Sequence, residues 1–252
     1  MNKTMYAFLL TTIAGTSTLI GAIPIFFKKL KTSTMITISL AFAAGVMLTV
    51  SCTDLMPNSF AYLNTFFFPF PSILICANFI VVGIIFSMLI DTYLPTSPQQ
   101  KNQQLYKVGI FSMIAIILHN VPEGIATFMT STNDLKLGIT LTIAITLHNI
   151  PEGISIAVPI FYATQQKTIA IFYTFISGIS ELFGAIIAYL FVAKYMPDTL
   201  MGVLFSFIAG IMIHISVYEL IPTSKSYRQV KLTYKSFFIA IIFMLLGHIF
   251  MN

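Results

Sequence analysis

The sequence predicts an all-α, polytopic membrane protein with eight transmembrane helices in a 3+2+3 inverted-repeat arrangement. Three observations predict it. Of 252 residues, 57% are apolar and only 8% are charged, against roughly a quarter charged in soluble domains, so too little polar surface exists to cover a water-soluble globule. The apolar residues fall into runs long enough to cross a hydrocarbon layer of about 30 Å. Segments in the first and second thirds of the chain also recur further along it, in spans of opposite direction.

Apolar runs between polar punctuation place the spans at 5–27, 35–57, 72–91, 108–130, 136–163, 168–193, 198–222 and 236–251, a single transmembrane domain over 1–252. Each must be helical, because backbone amides in lipid need internal partners and the runs are about twice the length of barrel strands. The first span follows Lys3 but lacks a small-residue cleavage site, so it is expected to stay in the mature protein. Basic residues divide unevenly between alternate connections. Ten lie in one set, from Lys28, Lys29 and Lys31 through Lys101, Lys107 and Lys167 to Lys225, Arg228, Lys231 and Lys235, and three in the other, Lys3, Lys136 and Lys194. The positive-inside rule then puts both termini on the extracytoplasmic side of the cell's inner (plasma) membrane and the 92–107 connection in the cytoplasm. A net charge of +5 spread over connections reads as orientation and not as a nucleic-acid surface. Cys52 and Cys76 lie in apolar runs and form no thiolate motif.

The octapeptide LHNVPEGI at 118–125 returns as LHNIPEGI at 147–154, in consecutive spans that run in opposite directions. Residues 13–23 align with 176–186, and FAAGVMLTVSCTDLMP at 42–57 with FIAGIMIHISVYELIP at 207–222. Spans 1–3 and 6–8 therefore read as an inverted pair around spans 4 and 5, an architecture of secondary transporters with a midplane site.

Five carboxylates, Asp54, Glu123, Glu152, Glu181 and Glu219, lie within spans, where each costs about 2.5–3.5 kcal/mol even on the lenient insertion scale. No Lys or Arg lies deep in any span, so of protonation, a bound cation and pairing with a basic side chain, the last fits least well. His119 and Glu123 are four residues apart, as are His148 and Glu152. At about 100° per residue, His119, Asn120 and Glu123 share one helical stripe, which His148, Asn149 and Glu152 repeat. Glu181 lies at similar depth. Pro122 and Pro151 cannot donate to the carbonyls of Leu118 and Leu147, which predicts a kink and a free carbonyl beside each stripe. Imidazole with carboxylate suits Zn²⁺, added amide oxygens also accept Fe²⁺ or Mn²⁺, and Ca²⁺ and Mg²⁺ fit imidazole less well.

Asp54 near the outer end of span 2 and Glu219 near the inner end of span 7 each precede Leu-x-Pro or Leu-Ile-Pro and read as entrance and exit ligands, with interfacial solvation as the alternative. His214 lies off the Glu219 face by about 140° and reads as an exit-path or packing residue. His248 reads as interfacial, and no Met is assigned to metal.

On its doubled HNVPEG and HNIPEG motif the chain resembles the ZIP (Zrt/Irt-like) metal transporters over essentially its whole length. The resemblance implies a two-metal centre between helices 4 and 5. His119, Glu123, His148 and Glu152 would form one position; Asn120, Glu123, Asn149, Glu152 and Glu181 would form the other, with the glutamates bridging. It implies uptake of Zn²⁺, with Fe²⁺, Mn²⁺, Co²⁺ and Cd²⁺ tolerated, as substrates rather than as a prosthetic group. The chain lacks a His-rich cytoplasmic loop and carries Asp54 where the family often has Glu. The expected partners are divalent metal ions and the bilayer, with no nucleic acid, and a homodimer stays open. A selective channel would share these ligands. A metal-dependent intramembrane hydrolase fits less well, because there is no HExxH and the motif glutamates are all needed as ligands, so no enzyme is expected.

Overall fold

A computed structural model describes residues 2–27, 31–93, 101–192 and 198–251, which are helical throughout with short turns and no strand. Lys28, Lys29, Lys194 and residues 94–100 of the 92–107 connection lie outside the described residues. Eight helices are long and apolar enough to span a membrane: α1 (Lys3–Phe26), α2 (Thr32–Asn64), α3 (Pro69–Thr92), α4 (Gln103–Asn133), α5 (Leu135–Thr164), α6 (Lys167–Phe191), α7 (Thr199–Lys225) and α8 (Val230–Ile249).

α2 and α7 run past the expected span ends at Pro57 and Pro222, to Asn64 and Lys225. Both helices instead pass through a π-helical turn, Ser51–Leu55 in α2 and Ile215–Leu220 in α7, and resume as α-helix at Met56 and Ile221. The proline falls in the first turn of the new segment in each case. There its missing N–H costs little, so the helix continues. These wide turns hold Asp54 and Glu219, at matching positions of the aligned segments. In α1 the α-helix tightens to 3-10 over Thr18–Phe26.

Tight turns fix α4 against α5 and α5 against α6. Asp134 caps α5, its Oδ1 accepting from the backbone N–H of Lys136 at 2.8 Å and of Leu137 at 3.1 Å, which satisfies amides that a helix start leaves open. Gln165 ends α5 in the left-handed region at φ 59°.

The helices pack in two groups. α1, α4, α5 and α6 contact one another extensively, while α3 packs on α7, α2 on α8 and α2 on α7. Small residues set the approach within each group. A Cβ at Gly124 would overlap the Glu181 carbonyl, and one at Gly153 the Thr18 carbonyl; Gly184 lies on Val121 and Gly21 on Ile150 in the same matched way. Gly15 and Gly178 lie on each other's carbonyls. In the second group Gly45 meets Phe237 and Gly210 meets Ile80. Between the groups, at α2 with α5 and α4 with α7, no described glycine makes such a backbone approach. Side chains such as Leu40, Met47, Ile156, Ile160, Ile208 and Met212 fill the buried core. α3 and α8 are the most exposed helices, presenting Ile73, Val81, Ile85, Phe238 and Ile242 outward.

Close approach of this kind gives a contrast. Gly124→Ala is expected to lower the melting temperature of the detergent-purified protein, at about 1–3 kcal/mol for forced overpacking. Gly247→Ala, whose nearest neighbour would be the Leu147 side chain at 3.7 Å, should leave it unchanged or raise it slightly by helix propensity. Equal melting shifts for both variants would contradict the packing description.

Candidate metal centre

The central side chains come from three helices of one group. His119, Asn120 and Glu123 stand on α4, His148, Asn149 and Glu152 on α5, and Glu181 on α6, and all are buried. The i, i+4 spacing brings His119 Nε2 to 3.2 Å from Glu123 Oε1 within α4. The antiparallel turn carries the second motif alongside the first, so His119 Nε2 also lies 3.5 Å from Glu152 Oε1, and His148 Nε2 lies 3.1 and 3.3 Å from the two oxygens of Glu123. The two imidazole rings are 6.0 Å apart. One ligand atom each from His119, His148 and Glu152 lies within 4.8 Å of the others, a spacing that a single metal ion can hold.

The asparagines are oriented by backbone. Asn120 Nδ2 donates to the Ser177 carbonyl at 3.0 Å, and Asn149 Nδ2 donates to the Ala14 carbonyl at 3.0 Å and to Glu181 Oε2 at 2.9 Å. A carbonyl can only accept, so these bonds settle which end of each amide is nitrogen and turn both amide oxygens the other way. Those two oxygens, both oxygens of Glu152 and Glu181 Oε1 are buried with no hydrogen-bond partner among the described residues. Each such group costs about 1–3 kcal/mol when left unmade. Acceptors that outnumber the imidazole donors beside them are the complement of a cation.

A cavity of about 190 Å³ leads from the cluster, with Glu123 and His148 at one end and Asp54, Asn58 and Thr130 along it. Asp54 stands at its rim, half exposed, with Thr53 Oγ1 donating to Oδ2 at 2.6 Å and His248 Nδ1 3.7 Å from Oδ1. The structure thus joins His248 to Asp54, a contact between α2 and α8 that sequence spacing does not reveal. Glu219 and His214 stand apart from the cluster. Glu219 lies beside Asp91, and buried His214 shares a 2.8 Å hydrogen bond with Ser87 Oγ and stacks on Tyr218 at 5.0 Å. The carbonyls of Ala14 and Ser177, which aim the asparagines, were missed by sequence reading because a backbone acceptor has no side-chain signature. Their one trace was the aligned repeat at 13–23 and 176–186.

If buried acceptors dominate the energetics, Glu152→Gln should raise the melting temperature of metal-free protein while abolishing the stabilisation that zinc gives the parent, about 2.7 kcal/mol at a hundredfold excess over Kd. Calorimetry with and without zinc reads both. A variant that melted lower without metal yet kept the zinc-induced rise would contradict the assignment of Glu152 as a ligand.

Similarity to known proteins runs along most of the chain. Residues 95–252 match the family described as ZIP Zinc transporter. The chain is 38% identical to a "Zinc transporter ZupT" of Lysinibacillus sphaericus (strain C3-41), an alignment covering 91% of each chain. It is also 37% identical to a protein of the same name from Clostridium perfringens (strain 13 / Type A), over 91% of this chain and 90% of that one. A Streptococcus mutans relative of that name is 38% identical over 88% of both. A match over more than half the chain, with relatives that align along nearly all of it, places this protein in the ZIP transporter family.

Proposed function

We propose that this protein is a carrier that takes up Zn²⁺ across the cell membrane through two adjacent metal positions between α4 and α5. The observation that carries this reading is the set of buried acceptor oxygens on Asn120, Asn149, Glu152 and Glu181 beside two imidazoles. His119, Glu123, His148 and Glu152 form one position, while Asn120, Asn149 and Glu181, with the two motif glutamates shared, form the other. Nitrogen with oxygen donors suits Zn²⁺ and extends to Fe²⁺, Mn²⁺, Co²⁺ and Cd²⁺. The relatives' name, zinc transporter, supports zinc as the chief substrate.

The reading includes a 3+2+3 inverted repeat, supported by the doubled contacts: α4 meets α6 as α5 meets α1, and α7 meets α3 as α2 meets α8. It also includes alternating access. All seven central ligands ride on α4, α5 and α6, which with α1 form one packed group, while no described glycine brings backbone onto backbone where α2 and α7 meet it. Such an interface can shift without breaking backbone packing. Movement of the ligand-bearing group against the other exposes the ions first to the side of the cavity and then to the opposite side. With both termini outside, an inside-negative potential favours inward movement by about 4.6 kcal/mol per 100 mV for a dication. A selective channel is the second reading, since it would use the same ligands; it would give ohmic currents and no saturation at micromolar metal.

In proteoliposomes the parent protein should give saturable zinc uptake, and His148→Ala with Glu152→Ala should reduce it by roughly a hundredfold or more, since even outer-shell ligand partners are worth 10–100-fold. Unchanged uptake in that double variant would overturn the proposal. Glu181→Ala should lower the zinc bound per purified chain from two ions to one, counted by elemental analysis, and alter metal competition; a count of two would remove Glu181 from the second position.

A further inference from the structure

On the side of the cluster opposite the cavity, Lys107 Nζ on α4 lies 2.6 Å from Asp91 Oδ1 on α3, with side-chain exposures of 13% and 28%. Glu219 on α7 lies beside Asp91, and His214 one turn away is tied to Ser87 of α3. This is a cation held at one carboxylate with a second beside it, and the cation is part of the chain. It joins the ligand-bearing group, through α4, to the other group, through α3 and α7. Between it and the centre, on the His119 face of α4 two turns away, Ser112 is fully buried with its hydroxyl unpartnered among the described residues. A polar group there has no bonding reason to be buried, but it fits a route that hydrates when the groups separate.

We propose that Lys107 is a tethered cationic latch: paired with Asp91 beside Glu219, its ammonium closes the side of the pathway opposite the cavity, and it must leave those carboxylates before a dication can pass. The state open at the cavity is held by a charge pair, and the departing metal meets carboxylates that the lysine has just released. A free ion pair at a surface contributes little. This one is largely buried at both ends and bridges elements that must part, so its loss biases the equilibrium between the two states.

The inference rests on the alternating-access reading but is tested without transport. Full-length protein with Cys52→Ser and Cys76→Ser is reconstituted zinc-free in vesicles with one reporter thiol, Ser112→Cys on the latch side or Thr130→Cys in the cavity, and is labelled by a membrane-impermeant maleimide. Lys107→Met should raise labelling of the Ser112→Cys reporter from the Lys107 side by roughly tenfold and lower that of the Thr130→Cys reporter correspondingly. Asp91→Asn, which breaks the pair from its other end, should do the same. Lys107→Arg should keep the parent pattern, and Asp91→Lys with Lys107→Asp should restore it. The proposal is overturned if either neutral variant, monodisperse by size exclusion, labels like the parent, or if the charge swap labels like Lys107→Met. Because labelling needs no zinc, failure of the latch and failure of zinc transport are separate results.

Discussion

The structure depends on one constraint: several oxygen acceptors are buried at mid-membrane with no hydrogen-bond partner among the described residues and only the two imidazoles nearby as donors. Asn120 and Asn149 use their N–H groups on backbone carbonyls and turn their oxygens to the cluster, and Glu152 has both oxygens unpartnered among the described residues. Hydrocarbon supplies no donor and the spans supply no deep Lys or Arg. Together these groups cost several kcal/mol unless a positive ion visits. Two glutamate charges balance a dication in a low dielectric, while the imidazoles select against hard ions. A site built this way binds by relieving its own desolvation, and it releases only if something else can compete for the ion or its ligands.

Backbone proximity makes that arrangement rigid. Glycines at the ends of both HN-x-PEG motifs let α4 rest on the Glu181 carbonyl and α5 on that of Thr18. The same contact therefore carries a ligand in one half of the repeat and a hydroxyl in the other. This asymmetry, Glu181 against Thr18, gives the cluster a carboxylate next to Asn149 with no counterpart across the repeat. The side chains proposed as ligands thus sit within one group of helices, and the proposed movement falls at that group's interface with α2 and α7.

Much of this was legible in the sequence because helix periodicity and hydropathy are local. Eight spans, the His/Glu stripes and the three repeats follow from spacing alone, and the cluster of His119, His148 and Glu152 is what i, i+4 pairs on neighbouring antiparallel helices must produce. The helix ends at Pro57 and Pro222 were not legible, since a proline stops a helix in one register and is tolerated after a π turn in another. Contacts between distant helices were hidden for a different reason. Lys107 read as a topology charge, and His248 as interfacial, because the partner of each lies on another helix; only the fold, which sets the start of α4 beside the end of α3 and packs α8 against α2, brings them to Asp91 and Asp54.

The central claim is that the buried imidazoles, carboxylates and amides ligate the ion directly. X-ray absorption at the zinc edge on zinc-loaded, detergent-purified protein tests it most directly. The account predicts a first shell of nitrogen and oxygen at about 2.0–2.2 Å with the outer scattering of imidazole rings and no sulfur at about 2.3 Å. A shell of water oxygens without imidazole scattering, or one containing sulfur, would contradict it.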